Sequence, residues 1–234
     1  MWLNSIKPNH KPLNSCTMKK AYYAILQNKA VITAYLVTIF TLLFIFIVPP
    51  IAIKMKYLKI LDNSLTNFIV LGACTTFCVV KLLQEGWDWR EELIKKVKSI
   101  DRKYALAYIG FTVAGITFLL LMQFPLDLKF NPKSLKTLHF VLVVPVCLAQ
   151  VLSYWVYLPK KLQLFTKSKF GIVILCGIFF TVMHIMFTLK FIFICSIGGV
   201  AFYSMYAIFP NVLLMTMSHS TLNIFAGCMG AFNT

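Results

Sequence analysis

The chain has 234 residues, of which 59% are hydrophobic and 13% charged. A water-soluble domain is nearer half apolar and about a quarter charged, so a soluble globular fold is excluded and a membrane protein is indicated. The net charge of +16 is then read as basic loops resting on anionic lipid headgroups, not as a nucleic-acid surface.

Residues 1–29 are polar and basic and read as a cytoplasmic and interfacial segment. Within them Lys19–Lys29 ("KKAYYAILQNK") suits a short interfacial helix, with Tyr22 and Tyr23 at headgroup depth. The polar part is too long for a cleavable signal, and no small-residue cleavage site follows it. Residues 30–137 hold the first spans, at 30–53, 66–84 and 104–124. Between the second and third lies an amphipathic loop, 85–103, whose Trp87 and Trp89 suit an interfacial belt. Four further apolar runs follow in 138–234, at 138–158, 170–189, 191–208 and 210–230. About 20 residues of helix cross the hydrocarbon. The expected fold is therefore all-α, a polytopic transmembrane bundle of about seven spans, with six to eight as the bracket. The boundary between the last two spans rests on Phe209-Pro210-Asn211, since proline starts a helix more readily than it continues one.

Charge sets the expected orientation. Of the 23 Lys and Arg, sixteen fall in the N-terminal segment and in the loops after the second and fourth spans; seven fall in the other loops. The positive-inside rule then puts the N-terminus in the cytoplasm and, with seven spans, the C-terminus outside. The seven cysteines (16, 74, 78, 147, 176, 195 and 228) fall mostly inside spans. Their odd number and placement argue for packing residues and against a disulfide framework.

Polar residues inside spans carry the functional reading, because an ionisable group there is costly. His184 lies in "IFFTVMHIMF" and His219 in "MTMSHSTLNIF". Phe180 is four residues before His184 and Asn223 four after His219, so each pair shares a helix face. The fourth span adds a polar stripe of Gln150, Ser153, Tyr154 and Tyr157, with Cys147 one turn earlier. Three helices with inward polar groups would enclose one polar chamber. The competing reading is interhelical hydrogen bonding that only holds the bundle together.

The order "FTVMH" then "HSTLN", 35 positions apart with Gly198-Gly199 between, resembles the CPBP family of CAAX proteases and bacteriocin-processing enzymes, also called Abi. Its motifs are Glu-Glu-x-x-x-Arg, Phe-x-x-x-His and His-x-x-x-Asn on successive membrane helices. The resemblance covers about residues 138–230. It implies an intramembrane endopeptidase site, or hydrolase, with His184, His219 and Asn223 at motif positions. It also implies a bacterial cytoplasmic membrane as location. The first motif is missing. Leu148-Ala149 or Ala149-Gln150 stands where the glutamates belong, and Ser153 or Tyr154 where the arginine belongs. Leu, Ala and Gln cannot take a proton at neutral pH, so none can be the general base. The pair Glu91-Glu92, followed by Lys96, sits in the charged loop and reads as a solvated face. No acid falls within a predicted span, and two deep histidines are fewer than the three ligands of a catalytic zinc; His139 is placed near an interface. No cofactor or metal is expected.

Two readings follow. In the preferred one the chain is a degenerate relative, a pseudoenzyme that keeps the chamber and binds a membrane-embedded peptide, a lipidated protein tail or a membrane partner. In the alternative it is an active endopeptidase with a non-standard site, either histidine-based or using a carboxylate from the Glu85–Glu92 loop. A transporter would show paired, broken helices, and no internal repeat is visible.

Overall fold

The computed structural model describes residues 15–54, 63–91, 101–123, 125–127, 129–131, 137–185 and 187–230. Asp62, Glu92, Lys96, the side chain of His139 and residues 92–100 of the amphipathic loop 85–103 lie outside the described residues. Among those described there is no strand. The chain divides into two compact units, residues 1–40 and 41–234.

The first helix, α1 (Ser15–Phe46), has no Gly or Pro along its length. It runs unbroken through the expected interfacial stretch and into the first apolar run. It stops before Pro49-Pro50, which lack an N–H, and α2 (Val48–Lys54) restarts with those prolines in its first turn. Then follow α3 (Asn63–Gln84), α4 (Arg102–Met122) and α5 (Thr137–Gln150). Beyond Gln150 the same helix widens into π-type turns over Val151–Tyr157, every residue of which is buried. A short α6 (Leu158–Leu162) completes it. The last three helices are α7 (Lys169–Met183), α8 (Leu189–Ile208) and α9 (Val212–Cys228).

Among the described residues, four stretches are long and apolar enough to cross a membrane: Val31–Ala52, Arg102–Met122, Phe140–Leu162 and Leu189–Ile208. Three apolar helices are shorter: Ile69–Gln84, Lys169–Met183 and Val212–Cys228. This is a helical membrane protein with extensive lipid-facing surface. Large side chains such as Phe40, Phe44, Val113, Val141 and Phe170 are exposed, as suits helices surrounded by hydrocarbon.

Polar residues at helix starts explain the boundaries. Asp101 accepts from Lys103 N, Ser168 from Gly171 N, Thr188 from Phe191 N and Asn211 from Leu214 N. Each satisfies an N–H that the first turn leaves unpaired. The Asn211 cap, with Pro210 before it, makes the turn between α8 and α9 as short as the sequence predicts. The fifth apolar run ends earlier than the expected 189. The α7 helix stops at Met183, and His184 takes the C-cap place with φ −98° and ψ 7°.

Two long-range contacts fix which helix ends lie together. Lys161 and Glu85 form an ion pair, which joins the loop after α3 to α6. At the other end, Asn131 N donates to Cys228 O at 2.6 Å. Within the bundle, hydroxyls join helices: Thr75 with Ser153 at 3.0 Å and Thr112 with Ser218 at 2.6 Å. Tyr108 OH donates to Phe209 O at 2.7 Å.

The tightest helix pair is α7 with α8, and glycine makes it possible. A Cβ on Gly177 would stand 2.5 Å from Val200 Cγ2, and one on Gly199 would stand 3.1 Å from Phe180 Cβ and 3.2 Å from Gly177 Cα. Small residues let helix backbones approach in a membrane, where van der Waals packing drives association. Gly177→Ala is therefore expected to cost about 1–3 kcal/mol by overpacking, read as a lower melting temperature in detergent. Gly110→Ala, where a Cβ meets nothing within 4 Å, is expected to be neutral or mildly stabilising. Equal melting temperatures for the two variants would contradict this packing.

Candidate functional site

Phe180 sits on Gly199 and cannot move toward α8, so its ring turns into the bundle. It meets the rings of His184 at 4.5 Å, Trp155 at 5.3 Å, Tyr154 at 5.7 Å and His219 at 5.8 Å between centroids. His219 is enclosed by three aromatics: Phe202 at 4.5 Å, Trp155 at 5.1 Å and Phe180. His184 packs edge-on against Phe191 at 5.5 Å. Pairs like these are worth about 0.5–1.5 kcal/mol each beyond the area they bury. The two histidines are thus part of one aromatic cluster at the centre of the 41–234 unit.

Hydrogen bonding differs sharply between them. His184 Nδ1 lies 2.7 Å from Phe180 O, one turn back. A carbonyl only accepts, so Nδ1 carries the proton and Nε2 of the neutral ring is left as the acceptor. His219 is 1% exposed, and its Nδ1 has no hydrogen-bond partner among the described residues. Asn223 is half-buried and gives its Nδ2 to Cys147 Sγ at 3.2 Å, which ties α9 to α5.

A cavity of about 270 Å³ lies beside this cluster, walled by α4, α7, α8 and α9. Phe180, His184, His219 and Asn223 all line it, so the four residues of the two sequence motifs face one space. The rest of its wall is apolar, including Phe111, Phe118, Cys195 and Ala201. Gln150, Ser153, Tyr154, Tyr157 and Cys147 are absent from that wall and are buried between helices. Ser153 faces Thr75 of α3, Tyr154 packs edge-on against Phe46 at 4.8 Å, and Lys161 Nζ stands over the Tyr157 ring. The Gln150 side chain leaves its Oε1 without a partner among the described residues.

The sequence offers no pointer to Trp155 or to the α4 wall. The widened turns explain the first. Leu158 N bonds to Ser153 O, five residues back, where an α-helix bonds four back. A register of 3.6 therefore loses its phase in this stretch, and Trp155 swings onto His219. The α4 wall carries only apolar and small residues at the cavity, which no motif search selects. A π-type widening inside an α-helix is itself a recurrent mark of functional sites.

No carboxylate lines the cavity, and no group of three His, Cys, Asp or Glu among the described residues is placed to hold a metal ion. Glu85 is engaged with Lys161, and Glu91 is exposed. The site offers hydrogen-bonding nitrogens in an apolar surround: an acceptor on His184, an unpartnered nitrogen on His219 and the Asn223 amide. No family model, curated protein or solved structure matches the chain.

The cage makes the His219 ring a packing element as well as a polar one. His219→Phe keeps an aromatic ring and removes a buried nitrogen whose missing partner costs about 1–3 kcal/mol. It is expected to hold or raise the melting temperature. His219→Ala, which empties the cage, is expected to lose about 2–4 kcal/mol. Unfolding of the His219→Phe protein would show that the ring makes an essential polar bond instead.

Proposed function

We propose that the chain is a catalytically degenerate relative of the CPBP intramembrane endopeptidases, with seven spans, a cytoplasmic N-terminus and a place in a bacterial cytoplasmic membrane. Its chamber binds a membrane-embedded substrate or partner, and a lipidated protein tail suits it best. The observation that carries this reading is the convergence of Phe180, His184, His219 and Asn223 on one cavity whose wall, among the described residues, holds no carboxylate. Water attack on a peptide bond needs a group that takes the proton. The positions where the family has its glutamates hold Leu148, Ala149 and Gln150. Binding needs no such group, because polar side chains in a bilayer can pair what lipid leaves unpaired.

One observation favours the runner-up, an active peptidase with a histidine base. His184 Nδ1 is held by Phe180 O, which leaves Nε2 free to accept a proton, and the orienting partner of a catalytic histidine acts in the same way.

Co-reconstitution separates the two. The probe is a synthetic single-span peptide with a hexadecyl chain on its terminal cysteine and a diazirine on that chain. Binding without chemistry is expected to give crosslinks on the cavity wall, with the peptide intact after prolonged incubation. The double variant His184→Phe/His219→Phe, which keeps both rings of the cluster, is expected to retain most of that crosslinking. A cleavage fragment made by the wild type and absent from the double variant would establish the peptidase. Crosslinks confined to lipid-facing residues such as Val113 and Val141 would remove the chamber reading altogether.

A further inference from the structure

The cavity reaches the surface of the bundle sideways. Ala114 and Ile197 are both in its wall and both exposed. Each lies near the middle of a helix long enough to cross a membrane, α4 and α8 respectively. What meets the protein at that depth is hydrocarbon. Ala114 on α4 and Gly198 beside Ile197 on α8 are small, so a slender group can enter between the helices, while Gly115 packs against Leu222 of α9. His219, near the middle of α9, stands in the wall, and its buried Nδ1 has no hydrogen-bond partner among the described residues.

The chemistry of an occupant follows from these surroundings. Its body must be apolar, because the wall is. It gains from one small hydrogen-bonding group at depth, because the polar side chains of His184, His219 and Asn223 stand in an otherwise apolar wall. That group cannot be charged, since a charge at mid-bilayer is expensive and no opposite charge faces it. A zwitterionic phospholipid keeps its headgroup at the interface and cannot supply it. A bare peptide segment would bring several N–H and C=O groups to be paired. The wall has three polar side chains, and His184 Nδ1 and Asn223 Nδ2 are already engaged.

We propose that the cavity takes one hydrocarbon chain of a neutral single-chain lipid, a long-chain alcohol or protonated fatty acid, which enters between α4 and α8 and hydrogen-bonds His219 through its hydroxyl or carboxyl. The proposal rests on the reading of this cavity as a ligand chamber and names the class of ligand it selects. A hydroxyl both donates and accepts, so it can pair His219 in either tautomer.

The test uses the full chain in phosphatidylcholine vesicles with two photo-reactive probes: a diazirine-bearing hexadecanol and a phosphatidylcholine with the same diazirine on one acyl chain. The alcohol is expected to label the cavity residues Phe111, Phe118, Ile194 and Phe202 at least tenfold above Val113 and Val141, and the phospholipid to label lipid-facing residues alone. Unlabelled hexadecanol should compete, and hexadecane should compete at least tenfold less well. Ala114→Trp, a substitution at an exposed position that blocks the opening, is expected to abolish the cavity labelling. His219→Phe is expected to weaken it about tenfold with the fold intact. Labelling by the alcohol that is spread evenly over lipid-facing residues, or that is indifferent to Ala114→Trp and His219→Phe, would overturn the proposal. The lipidated peptide distinguishes this from failure of the broader reading. If the peptide crosslinks in the cavity and the free alcohol does not, the chamber stands and the single-chain lipid falls. If the alcohol labels and the peptide does not, the lipid proposal stands and the protein-substrate reading falls.

Discussion

The structure depends on the close approach of α7 and α8 at Gly177 and Gly199. In a bilayer there is no hydrophobic drive between helices, so contact must come from fit. With no side chain at either glycine, Phe180 is pressed against α8 and its ring is held inward. From there it touches His184, His219, Trp155 and Tyr154 at once. One residue thus links α7 to α9 and to the widened part of the long α5–α6 helix. The cavity is what remains where α4 and α8 do not close over this cluster.

The same contact explains why the polar atoms of the site are so unequal. The end of α7 curls at His184, which lets the ring reach back to the Phe180 carbonyl. His219 lies inside α9 against the rings of Phe202, Trp155 and Phe180, and its Nδ1 has no hydrogen-bond partner among the described residues. A chain selected only for packing would be expected to carry Phe at that position. Retention of a histidine in an aromatic cage is the physical reason to read the cavity as a binding site rather than a packing flaw.

Much of the fold is legible from residue type alone. The apolar runs locate the helices and Pro210 locates a break, while Pro49-Pro50 divides what reads as a single run over 30–53. The motif spacing locates Phe180, His184, His219 and Asn223, because four-residue offsets survive in any α-helix. The polar stripe of α5 is harder. Gln150, Ser153, Tyr154 and Tyr157 share a face only if the turn stays at 3.6 residues, and the π-type turns beyond Gln150 break that phase. Ser153 consequently bonds to α3, while Trp155 takes the place beside His219. The α4 side of the cavity is invisible to sequence because Ala114, Gly115 and Phe118 are ordinary residues of an apolar helix.

The arrangement around Phe180 can be measured in the bilayer itself. Magic-angle-spinning NMR on the reconstituted protein, with ¹⁵N-labelled histidine and ¹³C-labelled phenylalanine, reads ring contacts and the protonated nitrogen of each histidine. The account requires correlations from the Phe180 ring to both His184 and His219, with the His184 proton on Nδ1 and coupled to the Phe180 carbonyl. A spectrum in which Phe180 correlates with His184 alone, or in which the His184 proton sits on Nε2, would contradict the shared chamber from which the functional reading is drawn.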